Sequence, residues 1–275
     1  MVIRPQRPWF DLRLGELWRY RDLVKIFVWR DFVATYKQTI LGPLWHVVQP
    51  LLTTAMLTVV FGRIARLSTN GLPQFLFYMS GIVVWNYFAT CVTRTSSTFT
   101  SNADIFGKVY FPRLATPLAS VLSALIAFGI QFGLFLAFVT YYVLAGAAVH
   151  PRAAGMLLLP VLLATMAALG LGLGIVVSAL TTRYRDLQNL VSFGVQLAMY
   201  ATPVIYPLST VPSRYRWLVK ANPVTAVVES FRAAFLGGGV IDLSHLAYSL
   251  FCTLAILAVG LILFNHVEST FMDTV

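Results

Sequence analysis

The residues best placed to do chemistry or contact a partner lie in one short stretch of this 275-residue chain. It reads Asn102-Ala-Asp-Ile-Phe-Gly-Lys-Val-Tyr-Phe-Pro-Arg113 and lies between two long uncharged runs. A charged segment between such runs cannot stay in hydrocarbon, so we expect it to reach water. Asn102 is a good helix cap and Pro112 a helix stop, which predicts a short helix between them. Its apolar side is too large to face water alone and predicts a docking surface.

Other chemistries find no support in the residue pattern. Gly107-Lys108 is followed by Val109 and lacks the glycine spacing of a nucleotide-binding loop. No carboxylate pair suits glycosyl transfer or hydrolysis, and no predicted span has a charge in its middle, as ion-coupled transporters usually do. The histidines and cysteines lack metal-ligand spacing; they are His46, His150, His245, His266, Cys91 and Cys252. We therefore expect no enzyme, and no metal or cofactor bound to this chain.

The composition predicts an all-α integral membrane protein. Hydrophobic residues make up 58% of the chain, charged residues 11%, and the mean hydropathy is +0.77; soluble domains carry about 25% charged residues. A helix needs about 20 apolar residues to cross about 30 Å of hydrocarbon. Six uncharged runs meet this and predict spans at about 38–62, 70–95, 115–146, 154–181, 187–206 and 243–266.

The distribution of Lys and Arg predicts the orientation. If both termini are cytoplasmic, the inner segments hold thirteen basic residues and the outer segments seven, as the positive-inside rule prefers. The segment before the last span is basic for an outer one and weakens this bias. We predict a cytoplasmic tail and helix at 1–37, a transmembrane domain at 38–267 and a cytoplasmic tail at 268–275. The net charge of +10 then mostly reflects topology, and the scattered basic residues do not suit nucleic acid.

The segment before the first predicted span has a helical pattern. Apolar residues fall within an arc of about 140°, and charged residues lie on the opposite side. The apolar set is Leu17, Tyr20, Leu23, Val24, Phe27 and Val28, and the charged set is Arg19, Asp22, Lys25 and Arg30. Such a helix is typical of the membrane surface; the alternative is a helix packed on a soluble partner.

Prolines and glycines predict irregular helices at both ends of the membrane domain. Gly42-Pro43 and Pro50 predict a bend at the start of the first span. Asn222-Pro223 predicts a helix start, and the glycines at 237–239 end an element of about 21 Å, too short to cross. We expect short re-entrant helices on the outer side before the last span.

Two glycine pairs predict close helix packing. Gly129 and Gly133 in the third span, and Gly170 and Gly174 in the fourth, fit the small-xxx-small pattern of membrane helix contacts. Packing is the expected role, and a functional hinge is the alternative.

Several motifs in the same order resemble those of type-2 ABC transporter permeases that export polysaccharides. They span the chain from Arg30 to Arg232. The motifs are Arg30-Asp31, Tyr36-Lys37-Gln38, Leu41-Gly42-Pro43-Leu44-Trp45, Gln49-Pro50-Leu51, Gly81-Ile-Val-Val-Trp85, Lys108-Val-Tyr-Phe-Pro112-Arg113, Arg183-Tyr-Arg-Asp186, Thr202-Pro203-Val-Ile-Tyr206, Asn222-Pro223 and Glu229 with Phe231-Arg232. Thr202 stands where that family often has Ser, a mild departure.

The resemblance implies a homodimer in the bacterial cytoplasmic (inner) membrane that carries two copies of a separate ATPase, with ATP and Mg²⁺ on that partner. Its cargo would be a lipid-linked polysaccharide, with membrane lipids around it. The ATPase-coupling residues would be Asn102, Asp104, Ile105, Phe106, Lys108, Tyr110 and Phe111, and the outer gate Tyr206, Asn222, Glu229 and Arg232. Sugars stack on aromatic faces, so candidates for the path are Tyr36, Trp45, Trp85, Tyr87, Phe88 and Tyr200, each of which could instead face lipid or lie at the membrane interface.

Two alternatives remain open from the sequence. A type-2 permease could export a lipid or a drug instead of a glycan. A membrane scaffold without a conduit is the alternative from another functional class.

Overall fold

The computed structural model of the protein describes residues 14–37, 39–106, 111–181 and 186–271. Every regular element in these ranges is a helix, which confirms the predicted all-α class. The α-helices are α1 Leu14–Arg19, α2 Arg21–Tyr36, α3 Trp45–Leu57, α4 Gln74–Ser96, α5 Thr98–Ser101, α6 Ala103–Phe106, α7 Ala115–Leu144, α8 Ala153–Met156, α9 Leu159–Thr181, α10 Leu187–Ala201, α11 Ser213–Ala221, α12 Pro223–Phe235 and α13 Leu243–Phe271.

Helix α4 is the centre of the bundle. Of its 23 residues, 16 are buried, and it packs against α3, α7, α9, α10 and α12. Tyr78 and Phe77 are among the largest fully buried side chains of the described residues. A helix that is apolar on all sides must be surrounded by other helices or by lipid, and here it is surrounded by helices. The main core is therefore built around α4.

Five helical segments of the described residues are long and apolar enough to cross a membrane. They are Gly42–Ile64, Gln74–Ser96, Ala115–Leu144, Leu159–Thr181 and Leu243–His266. Together they establish the membrane-embedded character that the composition predicts.

The predicted fifth span contains a shorter helix. Helix α10 has 15 residues, about 22 Å at 1.5 Å per residue, which falls short of the hydrocarbon thickness. The chain leaves the helix at Thr202 in an extended conformation, next to Pro203, which cannot donate a backbone hydrogen bond. The described residues of the interval 187–206 thus combine a 15-residue helix with an irregular segment.

The first span is irregular at both ends, as its prolines predict for its start. Gly42 has a φ of +49°, a conformation that favours glycine, and it opens a tight 3₁₀ turn that leads into α3. Pro50 lies inside α3. Beyond α3, a π-helical turn extends from Thr58 to Ile64.

Helix α2 has one side that packs against the rest of the chain and another that is exposed. Val24 and Phe27 of α2 are buried in a second core cluster with aromatic residues of the segment after α4 and of α13. Trp18 and Trp29 are exposed by 71% and 66%, as suits a helix at the membrane surface. The predicted apolar face is therefore confirmed, and part of it is covered by this chain.

The glycines of α9 allow close contact with α4. A Cβ added to Gly170 would lie 2.5 Å from the Cβ of Cys91, and one added to Gly174 would lie 2.5 Å from the Cβ of Thr95. Real Cβ atoms do not approach so closely, so only glycine permits this helix spacing. The packing prediction is confirmed for this pair.

The glycines of α7 behave differently. A Cβ on Gly129 or Gly133 would meet no atom within 4 Å. The packing prediction is therefore wrong for this pair within the single chain, because the pattern itself does not say which face meets a neighbour.

These two pairs make a matched test of helix packing. We expect Gly170→Leu to lower the thermal unfolding temperature, because overpacking a filled contact costs about 1–3 kcal/mol. Gly129→Leu should leave that temperature nearly unchanged. Both variants are measured as detergent-solubilised protein, and equal destabilisation by the two substitutions would contradict the proposed α4–α9 contact.

Candidate functional site

In the described residues of the segment between α4 and α7, two short helices, α5 and α6, follow one another, and α6 begins where the predicted helix begins. Helix α5 ends at Ser101, and α6 begins after Asn102. The Asn102 side-chain amide donates to the Thr98 carbonyl at 3.0 Å, while the Asn102 carbonyl accepts from the backbone of Ile105 and Phe106. Asn102 therefore stands at the junction of the two turns. Of the predicted coupling residues, Lys108 and Tyr110 lie outside the described residues, and the structure does not describe the side chain of Asp104.

The aromatic residues of this segment face inward. Phe106 and Phe111 are exposed by only 3% and 5%, and their ring centroids lie 5.7 Å apart. Phe111 contacts Phe27 of α2 at 5.5 Å, and the Arg113 guanidinium lies 5.5 Å from the Phe106 centroid. The prediction that Phe106 lies on an exposed docking face is therefore wrong, because α2 and neighbouring helices supply an apolar partner inside the chain.

The same aromatic cluster continues to the last helix. Phe99 of α5 lies 6.0 Å from Phe106 and stacks on Phe264 of α13 at 4.8 Å. Ile105 is half-buried, and Ser101 is exposed. The described part of the segment is thus anchored to α2 and α13 by its rings, and Ser101 lies on its exposed surface.

The aromatic candidates for a substrate path divide into two groups. Trp85, Tyr87 and Phe88 of α4 are 3–5% exposed, and Tyr87 packs on Phe128 of α7 at 5.5 Å. Trp45 and Tyr200 are each about half exposed. The first group therefore packs inside this chain, whereas the second lies on its surface; the sixth candidate, Tyr36 at the end of α2, is partly exposed.

Arg232 is the most connected residue of the predicted outer gate. Its side chain is 3% exposed and lies 3.3 Å from the Glu229 carboxylate. The guanidinium donates to the Pro203 carbonyl and to the Val204 carbonyl at 2.5 Å. It also donates to the Ser80 hydroxyl at 3.3 Å. One side chain of α12 thereby holds α4 and the irregular segment after α10 together.

Contacts around Arg232 stabilise the protonated, charged form of its guanidinium. Burial lowers the pKa of the guanidinium to about 10, and the Glu229 carboxylate opposes this shift. The group remains protonated at neutral pH, and its center lies 3.8 Å from the Phe77 ring centroid, a cation–π contact. A buried cation is tolerated when it is paired and fully hydrogen-bonded, and the carbonyls after α10 meet that requirement.

Asn222 and Tyr206 complete this region. The side-chain Oδ1 of Asn222 accepts from the Val224 backbone N–H at 3.0 Å and caps α12. Its side-chain amide donates to the Thr202 hydroxyl at 2.8 Å. The Tyr206 hydroxyl donates to the Tyr200 carbonyl at 3.2 Å. The four predicted gate residues thus belong to one region around the end of α10.

Sequence reasoning missed the α4 side of this region. Gly81 leaves the space that the Arg232 side chain occupies, since a Cβ there would lie 2.7 Å from its Nη2 atom and 2.9 Å from the Val204 carbonyl oxygen. Phe77 and Ser80 complete the contact. The glycine that opens the Gly81-Ile-Val-Val-Trp85 motif is a signal for a close approach, but its partner cannot be found without the tertiary structure.

A family model and several related proteins match most of this chain. The model of the family described as ABC-2 type transporter matches residues 22–236. An O-antigen export system permease protein RfbA of Klebsiella pneumoniae is 27% identical over 253 residues, covering 92% of this chain and 94% of that protein. The RfbA of Myxococcus xanthus is 31% identical over 222 residues, covering 80% and 82%. The polysialic acid transport protein KpsM of Escherichia coli is 21% identical over 246 residues, covering 89% and 93%.

The Arg232 contacts predict a large loss of stability when the guanidinium is removed. Arg232→Met should destabilise the protein by about 3–5 kcal/mol, because it leaves the Glu229 carboxylate and backbone carbonyls without their partner. The readout is the thermal unfolding temperature of the solubilised protein.

Arg214→Met is the matched control, because Arg214 is exposed on α11. It should change the unfolding free energy by less than about 0.5 kcal/mol. Equal unfolding temperatures for the two variants would show that Arg232 does not hold this region together.

Proposed function

Since the chain belongs to the ABC-2 type transporter family, we propose that it is the membrane subunit of an exporter that moves a lipid-linked polysaccharide out of the bacterial cytoplasm. The observation that carries this proposal is the match to O-antigen and polysialic acid export proteins over 80–92% of the chain. Such a subunit is a transporter permease and not an enzyme. The rival within the family is a permease for a lipid or a drug.

The energy source of this exporter is a separate protein. The sequence has no nucleotide-binding loop, so two copies of a cytoplasmic ABC ATPase, with ATP and Mg²⁺ bound to them, drive transport. This places the segment from Asn102 to Phe111 on the cytoplasmic side of the inner membrane, together with both termini. The excess of Lys and Arg in the inner segments supports this orientation.

The coupling role of the segment rests on its two surfaces. Phe99, Phe106 and Phe111 anchor it to α2 and α13 through ring contacts, so a push on the segment reaches those helices directly. Among the described residues of the segment, the exposed Ser101 and the half-buried Asn102 offer surface to the ATPase, whereas Ile105 packs partly against the second core cluster. Well-packed contacts transmit a displacement because the interior is dense.

The conduit lies between two copies of the chain. Helix α10 has no buried residue, and α3 has only Pro50, Thr54 and Leu57 buried, so both helices leave wide apolar faces for a second copy or for lipid. Trp45 and Tyr200 lie on this exposed surface. Their faces suit sugar rings that pass along the interface, and the region around Arg232 and Asn222 forms the outer gate.

A polar surface substitution tests ATPase docking. Ser101→Arg should reduce co-purification of the ATPase at least several-fold and lower export, because a bulky cation is placed at the docking surface. The control is Ser213→Arg, an exposed serine at the start of α11, which should leave co-purification unchanged. Normal ATPase recovery with Ser101→Arg would contradict the docking site.

Substitution of Tyr200 tests the proposed glycan path. Tyr200→Ala should lower glycan export several-fold while the protein level in the membrane is unchanged, since one stacked aromatic contact is lost. Tyr141→Ala is the matched control, because Tyr141 is also exposed, by 65%, and lies near the end of α7. The readout is surface glycan measured per unit of membrane protein, and equal export by both variants would place Tyr200 outside the path.

A further inference from the structure

The surface on the proposed outer side of the membrane carries an excess of positive charge. The three outer segments, at about 63–69, 147–153 and 207–242, hold seven Lys and Arg, although the positive-inside rule disfavours basic residues there. Of these seven, Arg232 is buried and the other six are exposed. The exposed set is Arg63, Arg66, Arg152, Arg214, Arg216 and Lys220.

Among the described residues, no carboxylate pairs with these six side chains. The outer segments contain two acids, and both are engaged elsewhere. Glu229 pairs with Arg232 at 3.3 Å, and Asp242 accepts from the Ser244 hydroxyl at 2.6 Å and from the backbone of His245. Net positive charge therefore remains on this surface, where it attracts anions from solution.

Helix α11 carries three of the six residues and is held at its C-terminal end by the two helices that follow it. The Thr225 hydroxyl of α12 donates to the Val219 carbonyl at 2.7 Å. The Tyr248 hydroxyl of α13 donates to the Ala221 carbonyl at 3.1 Å. The last carbonyls of a helix have no partner within the helix, so these two bonds fix the position of α11 on the protein.

The side of α11 that faces away from the protein is basic and aromatic. At 100° per residue, Arg214, Trp217 and Lys220 fall within an arc of about 120°. Trp217 is exposed by 67%, whereas Val219, on the opposite side of the helix, is partly buried. One large ring thus lies between two cations on a surface that is open to solvent.

This basic face favours a partner in water over membrane lipid. The exposed Tyr215 and Leu218 lie between the basic face and Val219, where they suit the membrane interface. A helix face that rests on lipid is apolar, but Trp217 is the one large apolar side chain of the basic face. The arrangement therefore fits a negatively charged solute that also offers a surface for ring stacking.

The first outer loop adds positive charge beside the segment that leads into α11. The Ser209 hydroxyl donates to the Asn70 side-chain oxygen at 3.0 Å and joins the two segments. Arg63 lies in the last turn of the π-helical segment after α3, and Arg66 follows it in the loop. Since α3 and α10 border the proposed conduit, the cations that follow these two helices stand at its outer end.

We propose that the exported glycan is acidic, and that Arg214, Trp217 and Lys220 bind its carboxylate- or phosphate-bearing sugars at the exit. This inference rests on the proposed function, since it names the chemical class of the cargo. A guanidinium matches the oxygens of a carboxylate or phosphate, and an ammonium adds a point charge. The indole offers a face for the sugar ring, while Arg63 and Arg66 attract the chain through their charge.

Binding of two oligosaccharides tests the class of cargo. The full chain with its ATPase is placed in phosphatidylcholine nanodiscs and titrated with a fluorescently labelled octamer of galacturonic acid, and fluorescence anisotropy is followed. Maltooctaose with the same label is the neutral probe. We expect the acidic probe to bind at least tenfold more tightly than the neutral one. Arg214→Gln combined with Lys220→Gln should weaken binding of the acidic probe at least fivefold.

Two further variants locate the site on α11. Trp217→Ala should weaken binding of the acidic probe several-fold, because it removes the stacking surface and leaves both cations in place. The matched control combines Arg19→Gln with Lys25→Gln. It removes two exposed cations with the same spacing in sequence on the proposed cytoplasmic side, and it should bind the acidic probe as the unmodified protein does.

The natural glycan gives an independent test. Cells in which this permease is the only glycan exporter should display a surface glycan that contains a carboxylate sugar or phosphate, as measured by compositional analysis. A neutral surface glycan would overturn this inference and leave the proposed function standing, whereas absent export would overturn the proposed function itself.

Three binding results would also overturn the inference. The first is equal affinity for the acidic and neutral probes, and the second is equal loss of affinity in the α11 and control variants. The third is a higher unfolding temperature in phosphatidylglycerol than in phosphatidylcholine nanodiscs that the combined Arg214 and Lys220 variant loses. That result would assign the basic face to membrane lipid.

Discussion

Backbone groups that leave a helix inside a membrane protein must find partners within the protein, and Arg232 meets that requirement here. The chain departs from α10 at Thr202, next to a proline, and the residues there, Thr202, Pro203 and Val204, are buried, so their carbonyls need partners within the protein. The Arg232 guanidinium donates to two of those carbonyls and to Ser80 of α4. Burying either partner alone would be unfavourable. The carbonyls stabilise the buried guanidinium, and the guanidinium provides the hydrogen bonds that the buried carbonyls need.

These contacts explain why motifs that are far apart in the sequence form one structural region. Asn222 starts α12 and so sets the position of Arg232 three turns later, while its amide holds Thr202. Gly81 provides the space on α4 that the guanidinium needs. A change in any one of these positions alters the hydrogen bonding of the others, which makes the region around the end of α10 one cooperative unit.

The region around α5 and α6 is stabilised by a different kind of interaction. There the rings of Phe99, Phe106 and Phe111 pack with α2 and α13, and burial of apolar area replaces hydrogen bonding as the main stabilising contribution. Helix α4 runs between the two regions, with Phe77 next to Arg232 and Arg94 in its last turn. Gly170 and Gly174 of α9 allow that helix to pack closely against α4.

The sequence by itself determined the class of protein, the approximate helices and the segments that must leave hydrocarbon, because hydropathy and proline effects act locally along the chain. It also selected four residues that the structure brings into one region, Tyr206, Asn222, Glu229 and Arg232, although without their α4 partner. Only the tertiary structure decided that Phe106 faces inward, that Gly170 and not Gly129 meets another helix, and that α10 stops short of a full span. The physical reason is that the same apolar residue or glycine suits lipid, a second chain or the chain's own core, and only the packing of distant segments chooses among them.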